Sequence, residues 1–210
     1  MIKVIIVDDH PVVRKGLRYI LDKTSDIKVI GEAENAPNTM QIIQQTELDL
    51  DIVILDITLP GQSGLDLMKV LKNEYPKLHV LILSVHPEEQ YALRLIKAGA
   101  SGYLTKDNAP EELVKAIRKI AAGGKYVSER LTEKLVSEIT GAEKLPHEML
   151  SDREFQIMRL IASGKRLKEI AAALYLSEKT VSTYRTRILE KMGLKTNAEL
   201  ISYVLLNKLI

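Results

Sequence analysis

Along the first 125 residues, apolar positions follow two alternating patterns. Short unbroken runs rich in β-branched side chains occupy Lys3–Val7, Ile27–Ile30, Ile52–Leu55 and Val80–Leu83, with a shorter one at Gly102–Thr105. Runs this short and this apolar read as strands buried on both faces. Between them the spacing changes to the helical period. It is carried by Val12, Val13, Leu17, Ile20 and Leu21, by Leu65, Met68 and Leu71, and by Leu93 and Ile96 before Gly99. Leu113, Val114, Ile117 and Ile120 repeat it after Pro110, a first-turn proline, and Met40 and Ile43 carry a weaker version. Five strand–helix units in succession predict a parallel sheet covered by helices on both faces, for which the common strand order is 2-1-3-4-5. The expected fold over residues 1–122 is therefore a flavodoxin-like α/β domain.

The alternation stops at Gly123-Gly124. A linker over 123–147 follows, with a short, half-charged helix expected at Ser128–Ile139 and a joint at Thr140–Glu148 that contains Gly141 and Pro146. From 148 to 210 the pattern is helical only. Asp152–Ala162 has Ser151 as its N-cap and Glu154 at the capping-box position. Leu167–Leu174 is a short second helix, Ser177 caps a third at Glu178–Met192 before Gly193, and Asn197–Lys208 is the fourth. A compact helix, a short turn and a capped third helix predict an all-α helix-turn-helix domain over 148–210.

Composition narrows the classes. The chain has 210 residues, 46% apolar and 28% charged, an ordinary globular balance. It has no cysteine, which excludes disulfide scaffolds, thiolate zinc sites and cysteine nucleophiles. No apolar run approaches the roughly 18 residues of a membrane span. Asp8 and Asp9 come too early for a signal peptide, so a cytoplasmic setting with no membrane partner is expected. His10, His79, His86 and His147 are scattered, with no pairing at ligand spacing. The net charge of +2 is uneven: −1 over 1–125, −1 over 126–145 and +4 over 146–210. Only the last part has a basic excess suited to a polyanion.

Candidate chemistry gathers where the strands end. In an open parallel sheet, ligands bind beyond the carboxyl ends of the strands. Asp8 and Asp9 follow the first strand, Asp56 the third, Ser84 the fourth and Lys106 the fifth. In the expected order the first and third strands are neighbours, so three carboxylates crowd one end of the sheet. They cannot all stay ionised without a counter-charge, so one holds a proton or a cation binds. A hard divalent ion such as Mg²⁺ suits oxygen donors of this kind. Metal, ammonium and hydroxyl together would stabilise a phosphoryl group transferred to a carboxylate. Taken singly, each residue has a plainer role: a strand-end Asp as turn or cap, Ser84 as a loop cap, Lys106 as a solvated charge. Their agreement at one end of one sheet favours a site.

The stretches VIIVDDH, VILDITLPGQSG, LILS and GYLTK resemble the receiver domain of two-component response regulators over about residues 1–122. The resemblance implies that Asp56 is the phosphorylated aspartate and Asp9 a direct Mg²⁺ ligand. It implies that Asp8 acts on the metal through water and that the backbone carbonyl of Thr58 is the third protein ligand. Ser84 and Lys106 would bind the phosphoryl group, and Tyr103 matches the family's switch aromatic, with a core or edge-strand aromatic as the plainer reading. Thr58 and His86, two positions beyond Asp56 and Ser84, stand where the family tunes self-dephosphorylation. Neither is an acid or amide suited to orient water, so a slowly decaying phosphorylated state is expected.

In the helical part, Val181, Ile188, Leu189 and Met192 give the third helix an apolar face. Its other positions offer Lys179, Thr180, Ser182, Thr183, Arg185, Thr186 and Arg187. Short hydroxyl side chains allow close approach to base edges, and Lys and Arg reach phosphates or guanine. A solvated bundle face is the plainer reading. The segment LSDREFQIMRLIASGKRLKEIAAALYLSEKTVSTYRTRILEKMGLKTNAELI resembles the LuxR-type DNA-binding domain of the NarL/FixJ subfamily. Arg166-Leu167 departs from it, standing where many relatives carry a small polar pair. The fourth helix has more apolar side chains than one buried face needs, which suggests a dimerisation surface at Ile201, Val204 and Leu205.

The expected function is thus a response regulator. A sensor histidine kinase would phosphorylate Asp56, and the change would control homodimerisation and binding to double-stranded promoter DNA, with no catalytic residues of an enzyme. One rival is a Mg²⁺-dependent phosphohydrolase, but its usual second aspartate is replaced by Thr58. The other is a phosphorylation-independent regulator, which the full set of five pocket residues opposes.

Overall fold

The five apolar runs form β1 (Ile2–Val7), β2 (Ile27–Ala33), β3 (Ile52–Asp56), β4 (His79–Ser84) and β5 (Gly102–Thr105). They make one parallel sheet of order β2-β1-β3-β4-β5, as the alternation predicts. The computed structural model describes residues 1–45, 50–59, 64–86, 88–129, 131–133 and 145–210. These fall into two compact units, 1–132 and 133–210.

Strand residues alternate between two covered faces. Val4, Ile6, Ile52, Ile54, Leu81 and Leu83 share one core with α1 (Pro11–Leu21) and α5 (Ala109–Ala121). Ile5, Val53, Leu55 and Ile82 are equally buried and turn the other way. That side is covered by α2 (Ala36–Gln45), α3 (Gly64–Glu74) and α4 (Glu88–Lys97), which meet β2, β3 and β5. Burial on both faces is why these strands read as continuous apolar runs. β2 extends three residues beyond its apolar run, to Ala33, because Gly31, Glu32 and Ala33 pair with Ile5, Ile6 and Val7 of β1; the register shift between Val4 and Ile5 leaves Ile30 without a partner in that ladder.

Residues 125–128, read from sequence as linker, belong to the first unit and hydrogen-bond within it. Tyr126 forms a parallel bridge to Gly102, donates to Ser101 O at 3.0 Å and accepts from Tyr103 N at 2.9 Å. Ser128 N donates to Glu88 Oε1 at 3.1 Å. The open edge of β5 is thereby covered. Of the helix expected at 128–139, residues 130 and 134–139 lie outside the described residues, as do 140–144 of the expected joint.

The second unit begins with a 3-10 turn at Pro146–Met149. It continues with α6 (Asp152–Ala162), α7 (Leu167–Ala173), α8 (Glu178–Met192) and α9 (Asn197–Leu206). The Ser151–Glu154 capping box forms in both directions: Ser151 N donates to Glu154 Oε2 at 2.7 Å, and Glu154 N to Ser151 Oγ at 3.3 Å. Phe155, Met158 and Ile161 pack in a core with Ile170, Val181, Ile188, Leu200 and Val204. α9 stops two residues short of the expected Lys208, because Lys208 takes a positive φ of 51° and returns Leu209 to the core. Among the described residues, no helix is long and apolar enough to cross a membrane.

Candidate functional site

In the parallel register Val7 lies beside Leu55, so the chain leaves β1 at Asp8 next to Asp56 at the end of β3. Both carboxylates are buried, at 1% and 2% exposure. Lys106, just past β5, places its Nζ 2.6 Å from Asp8 Oδ2 and 2.7 Å from Asp56 Oδ2. Asp56 Oδ1 accepts from Thr58 N at 2.8 Å, and Asp8 Oδ1 accepts from His10 N at 2.8 Å. Burial pushes the Asp56 carboxyl above the ordinary range, more than Lys106 and the Thr58 amide pull it down. For Lys106 burial works against the charge, but the Asp56 and Asp8 carboxylates beside it outweigh that and raise the ammonium. The arrangement is one ammonium shared by two buried carboxylates.

Asp9, half-exposed, places Oδ1 2.7 Å from His10 Nδ1. Asp8 Oδ2 and Asp9 Oδ1 are buried and have no hydrogen bond. The nearby Lys106 and His10 nitrogens are therefore ion contacts without hydrogen-bond alignment. Donor atoms of Asp8, Asp9, His10 and Asp56 all lie within 4.8 Å of one another. Hard carboxylate donors at that spacing, two of their oxygens outside any hydrogen bond, fit a small divalent cation.

The structure brings Asp8, Asp9, Asp56 and Lys106 into contact or near-contact. Ser84 sits at the same sheet end, one register step beyond Asp56, fully buried, with Oγ accepting from His86 N at 3.0 Å. Tyr103 is buried on β5, and its hydroxyl donates to the His86 carbonyl at 2.7 Å. The His86 ring packs near Tyr91 of α4, 5.2 Å between centroids. Thr58 is exposed and reaches Asp56 through its amide. Positions 60–63 of the VILDITLPGQSG stretch lie outside the described residues.

Three neighbours were not singled out from sequence. His10 joins the acidic cluster although it has no partner at histidine-ligand spacing; its adjacency to Asp8-Asp9 was the signal. Arg14 donates to the Asp8 carbonyl at 2.6 Å, one turn along α1. Gly64 starts α3 against the end of β3, where a Cβ would lie 2.3 Å from Asp56 O and 2.6 Å from Ile57 Cα. Only glycine admits that approach.

In the second unit, α8 buries Val181, Ile188, Leu189 and Met192, the face expected from its period. Ser177 caps it, accepting from Thr180 N at 3.0 Å, and Gly193 ends it at φ 66°. Lys179, Thr183, Thr186 and Arg187 are exposed, while Thr180, Ser182 and Arg185 are half-buried. Thr183 and Thr186 donate to the carbonyls of Lys179 and Ser182, at 3.0 and 3.3 Å, which leaves lone pairs and methyl groups facing outward. Arg185 is held by Asn197 Oδ1 at 2.6 Å, so it is less available than its charge suggested. On α9, Val204 is fully buried inside the unit, which removes it from the surface expected at Ile201, Val204 and Leu205. Val204 points inward because it shares the buried stripe with Leu200, four residues earlier. Leu205 and Leu206 are exposed instead, at 57% and 83%, and Ile201 is half-buried.

Comparison with known proteins matches two family models: the response regulator receiver domain over residues 4–118, and the bacterial regulatory proteins of the luxR family over 148–204. The chain is 37% identical over 202 residues to the response regulator GacA of Pseudomonas aeruginosa, covering 95% of this chain and 94% of that protein. It is 36% identical over 217 residues to the oxygen regulatory protein NreC of Staphylococcus epidermidis, covering 99% of each. Among solved structures it resembles RcsB of Salmonella enterica serovar Typhimurium bound to promoter rprA in the presence of the phosphomimetic BeF3−. That match has a TM-score of 0.68 and 28% identity, and covers 97% of this chain and 98% of that one.

Proposed function

The chain belongs to the two-component response regulators, with a receiver domain and a LuxR-type DNA-binding domain, and from that premise we propose that phosphorylation of Asp56 controls its binding to promoter DNA. The family is one of transcription regulators, so the phosphohydrolase alternative falls away. We take 1–122 as the receiver, 123–147 as the linker and 148–210 as the DNA-binding domain, working in the cytoplasm where promoter DNA is met.

The observation that carries the reading is the Lys106 ammonium shared by Asp8 and Asp56 at the strand ends. An Asp56 oxygen attacks phosphorus of the donor, a phosphohistidine of the sensor histidine kinase or a small phosphodonor; as the new O–P bond forms, the donor's bond to phosphorus breaks and its freed group, the imidazole in phosphohistidine, leaves and takes up a proton. Lys106 turns from Asp56 to a phosphoryl oxygen. Ser84 Oγ accepts from the His86 amide, which leaves its own proton to donate to another phosphoryl oxygen. Asp8, Asp9, Asp56 and the Thr58 carbonyl would hold Mg²⁺, which when bound neutralises phosphoryl charge. Drawing Ser84 and Lys106 toward the phosphoryl group pulls on the segment from Ser84 to His86 and on the Tyr103–His86 bond, a two-state element that phosphorylation biases.

On α8, Lys179 and Arg187 contact phosphates. Thr183, its hydroxyl proton already given to Lys179 O, reads a base through lone pairs or methyl. Ile201, Leu205 and Leu206 pair two chains across half-sites about one helical turn apart. The experiment is label transfer from a small phosphodonor, with DNA affinity read by anisotropy before and after. Acid-labile label on wild type, none on Asp56→Asn, and tighter DNA binding only in labelled protein are expected. Label on Asp56→Asn overturns the assignment.

A further inference from the structure

The DNA contacts assigned so far leave one strained, exposed side chain of the second unit unused. Tyr175 lies in the turn between α7 and α8, at φ 55°. That is the left-handed region, where a bulky side chain is rare and glycine is the ordinary occupant. The hydrogen bonds of the turn set the conformation. Tyr175 N donates to Ala172 O at 3.3 Å and Leu176 N to Ala171 O at 2.9 Å, the paired bonds that close a helix over a left-handed residue. α6 and α8 end with the same pair of bonds, over Gly164 at φ 81° and Gly193 at φ 66°. α9 ends that way over a flexible basic side chain, Lys208. At the corner between α7 and α8 the backbone calls for glycine and the chain supplies tyrosine.

The unit itself makes little use of that side chain. Tyr175 is 76% exposed, and its hydroxyl has no hydrogen-bond partner among the described residues. The turn is nevertheless held firmly. Arg153 of α6 donates from Nη2 to Leu174 O at 2.9 Å and from Nη1 to Gln156 Oε1 at 2.8 Å, so its guanidinium is spent on fixing the corner. Strain kept in a rigid surround, on a side chain without an internal hydrogen bond, points to a task outside the unit. The neighbours say which. Tyr175 stands two residues before Ser177, the cap of α8, and four before Lys179, the first cation of the helix assigned to DNA. In a helix-turn-helix the N-terminal residues of the second helix reach base edges while the first helix crosses the sugar–phosphate backbone, so the corner joining them runs beside that backbone. Tyrosine hydroxyls are ordinary donors to phosphate. We infer that the Tyr175 hydroxyl donates a hydrogen bond to a phosphate oxygen of the bound DNA and anchors the corner ahead of α8. The inference rests on α8 being the DNA-reading helix. Because tyrosine is neutral, its contact displaces no counterion. It adds affinity on every sequence without steepening the salt dependence, unlike Lys179 or Arg187.

The test uses the phosphorylated full chain, with anisotropy on a footprint-selected genomic fragment and on a shuffled fragment across a salt series. Wild type, Tyr175→Phe, Tyr175→Gly and Lys179→Ala are compared. Tyr175→Phe keeps the ring and the strain and loses only the hydroxyl. It should weaken binding to both fragments about fivefold, with the salt slope unchanged. Tyr175→Gly should lose at least as much affinity and yet melt higher, because glycine takes φ 55° without strain. Full affinity in Tyr175→Phe, a loss on the matched fragment alone, or a lower melting midpoint in Tyr175→Gly overturns the inference. Wild type that binds neither fragment, or Lys179→Ala that binds like wild type with an unchanged salt slope, overturns the reading of α8 and the inference with it.

Discussion

Asp8 and Asp56 are 1% and 2% exposed and share a single ammonium, whereas Lys179, Thr183, Thr186 and Arg187 stand exposed along one helix. At the sheet end, strand register, the Thr58 amide, Lys106 and the close approach of Gly64 each restrict the same few atoms. On α8 the helix supplies direction and spacing and little else. A buried, mutually constrained cluster answers substitution sharply, because each change alters the charge balance that its neighbours share. An exposed helix face answers in increments, one contact at a time.

The largest expected effect is at Asp56. Asp56→Asn should abolish acid-labile phosphate while keeping the fold. Because burial holds the Asp56 carboxyl above its unfolded value, its ionisation opposes folding as pH rises through the interval between the two. The amide removes that charge, so the metal-free variant should melt higher than wild type at pH 7. Label at full stoichiometry, or a lower midpoint, would break the contrast on the receiver side.

Gly64→Ala comes next. With a Cβ 2.3 Å from backbone oxygen, the start of α3 must move, at a cost of roughly 1–3 kcal/mol. Thermal melting of the first unit should shift down while that of the second does not. An unchanged first transition would mean the strand end is looser than described.

Substitutions on α8 should be graded. Lys179→Ala and Arg187→Ala should weaken all DNA sequences alike and each reduce the salt slope by about one. Thr183→Ala should cost about 1–3 kcal/mol at a matched site and little elsewhere. Altered specificity in the lysine or arginine variant, with none in Thr183→Ala, would exchange the two roles.

The lifetime of the phosphorylated state should respond to Thr58 and His86. The His86 ring lies beside Tyr91 and Thr58 offers no acid, so label on wild type should decay over many minutes. Thr58→Asn and His86→Glu should hasten the decay in excess Mg²⁺. Decay within seconds in wild type would refute this.

The smallest effect concerns a buried charge that serves structure alone. Burial pushes the Glu154 carboxyl up, but Lys191 at 2.7 Å and the Ser151 cap outweigh it and hold it below its ordinary value of 4.5. With the folded value depressed, its stabilisation is present above about pH 4.5 and lost as pH falls through the folded value. Glu154→Gln keeps the cap geometry and loses the charge. Its melting midpoint should therefore lie below wild type at pH 6.5, and the gap should close toward pH 3. A constant gap would assign the effect to packing.

The same contrast explains what could be read in the sequence. Strands buried on both faces leave continuous apolar runs, and α8 showed its buried face through Val181, Ile188, Leu189 and Met192, so fold class and strand order were legible. So was the gathering of Asp8, Asp9, Asp56 and Lys106, which follows from strand ends in a known order. Gly64 was not, because its role is a close approach to the backbone of Asp56 and Ile57 across the turn after β3, which no residue pattern marks. His10 was missed because ligand spacing in sequence says nothing of a ring that turns back on its neighbour, with Nδ1 2.7 Å from Asp9 Oδ1. Val204 was misplaced because the stretch Leu200–Leu206 is apolar except for Ser202, which leaves little contrast in sequence between its buried and exposed sides. Arg185 looked like a free cation until its tether to Asn197, twelve residues on, was seen.

Coupling between the buried cluster and the exposed helix is the central claim. Its most direct test is anisotropy titration of a genomic fragment selected by footprinting, with wild type and Asp56→Asn, each with and without a small phosphodonor and Mg²⁺. Phosphorylation should tighten wild-type binding about tenfold or more and leave Asp56→Asn unchanged. Equal affinity for labelled and unlabelled wild type would contradict the account.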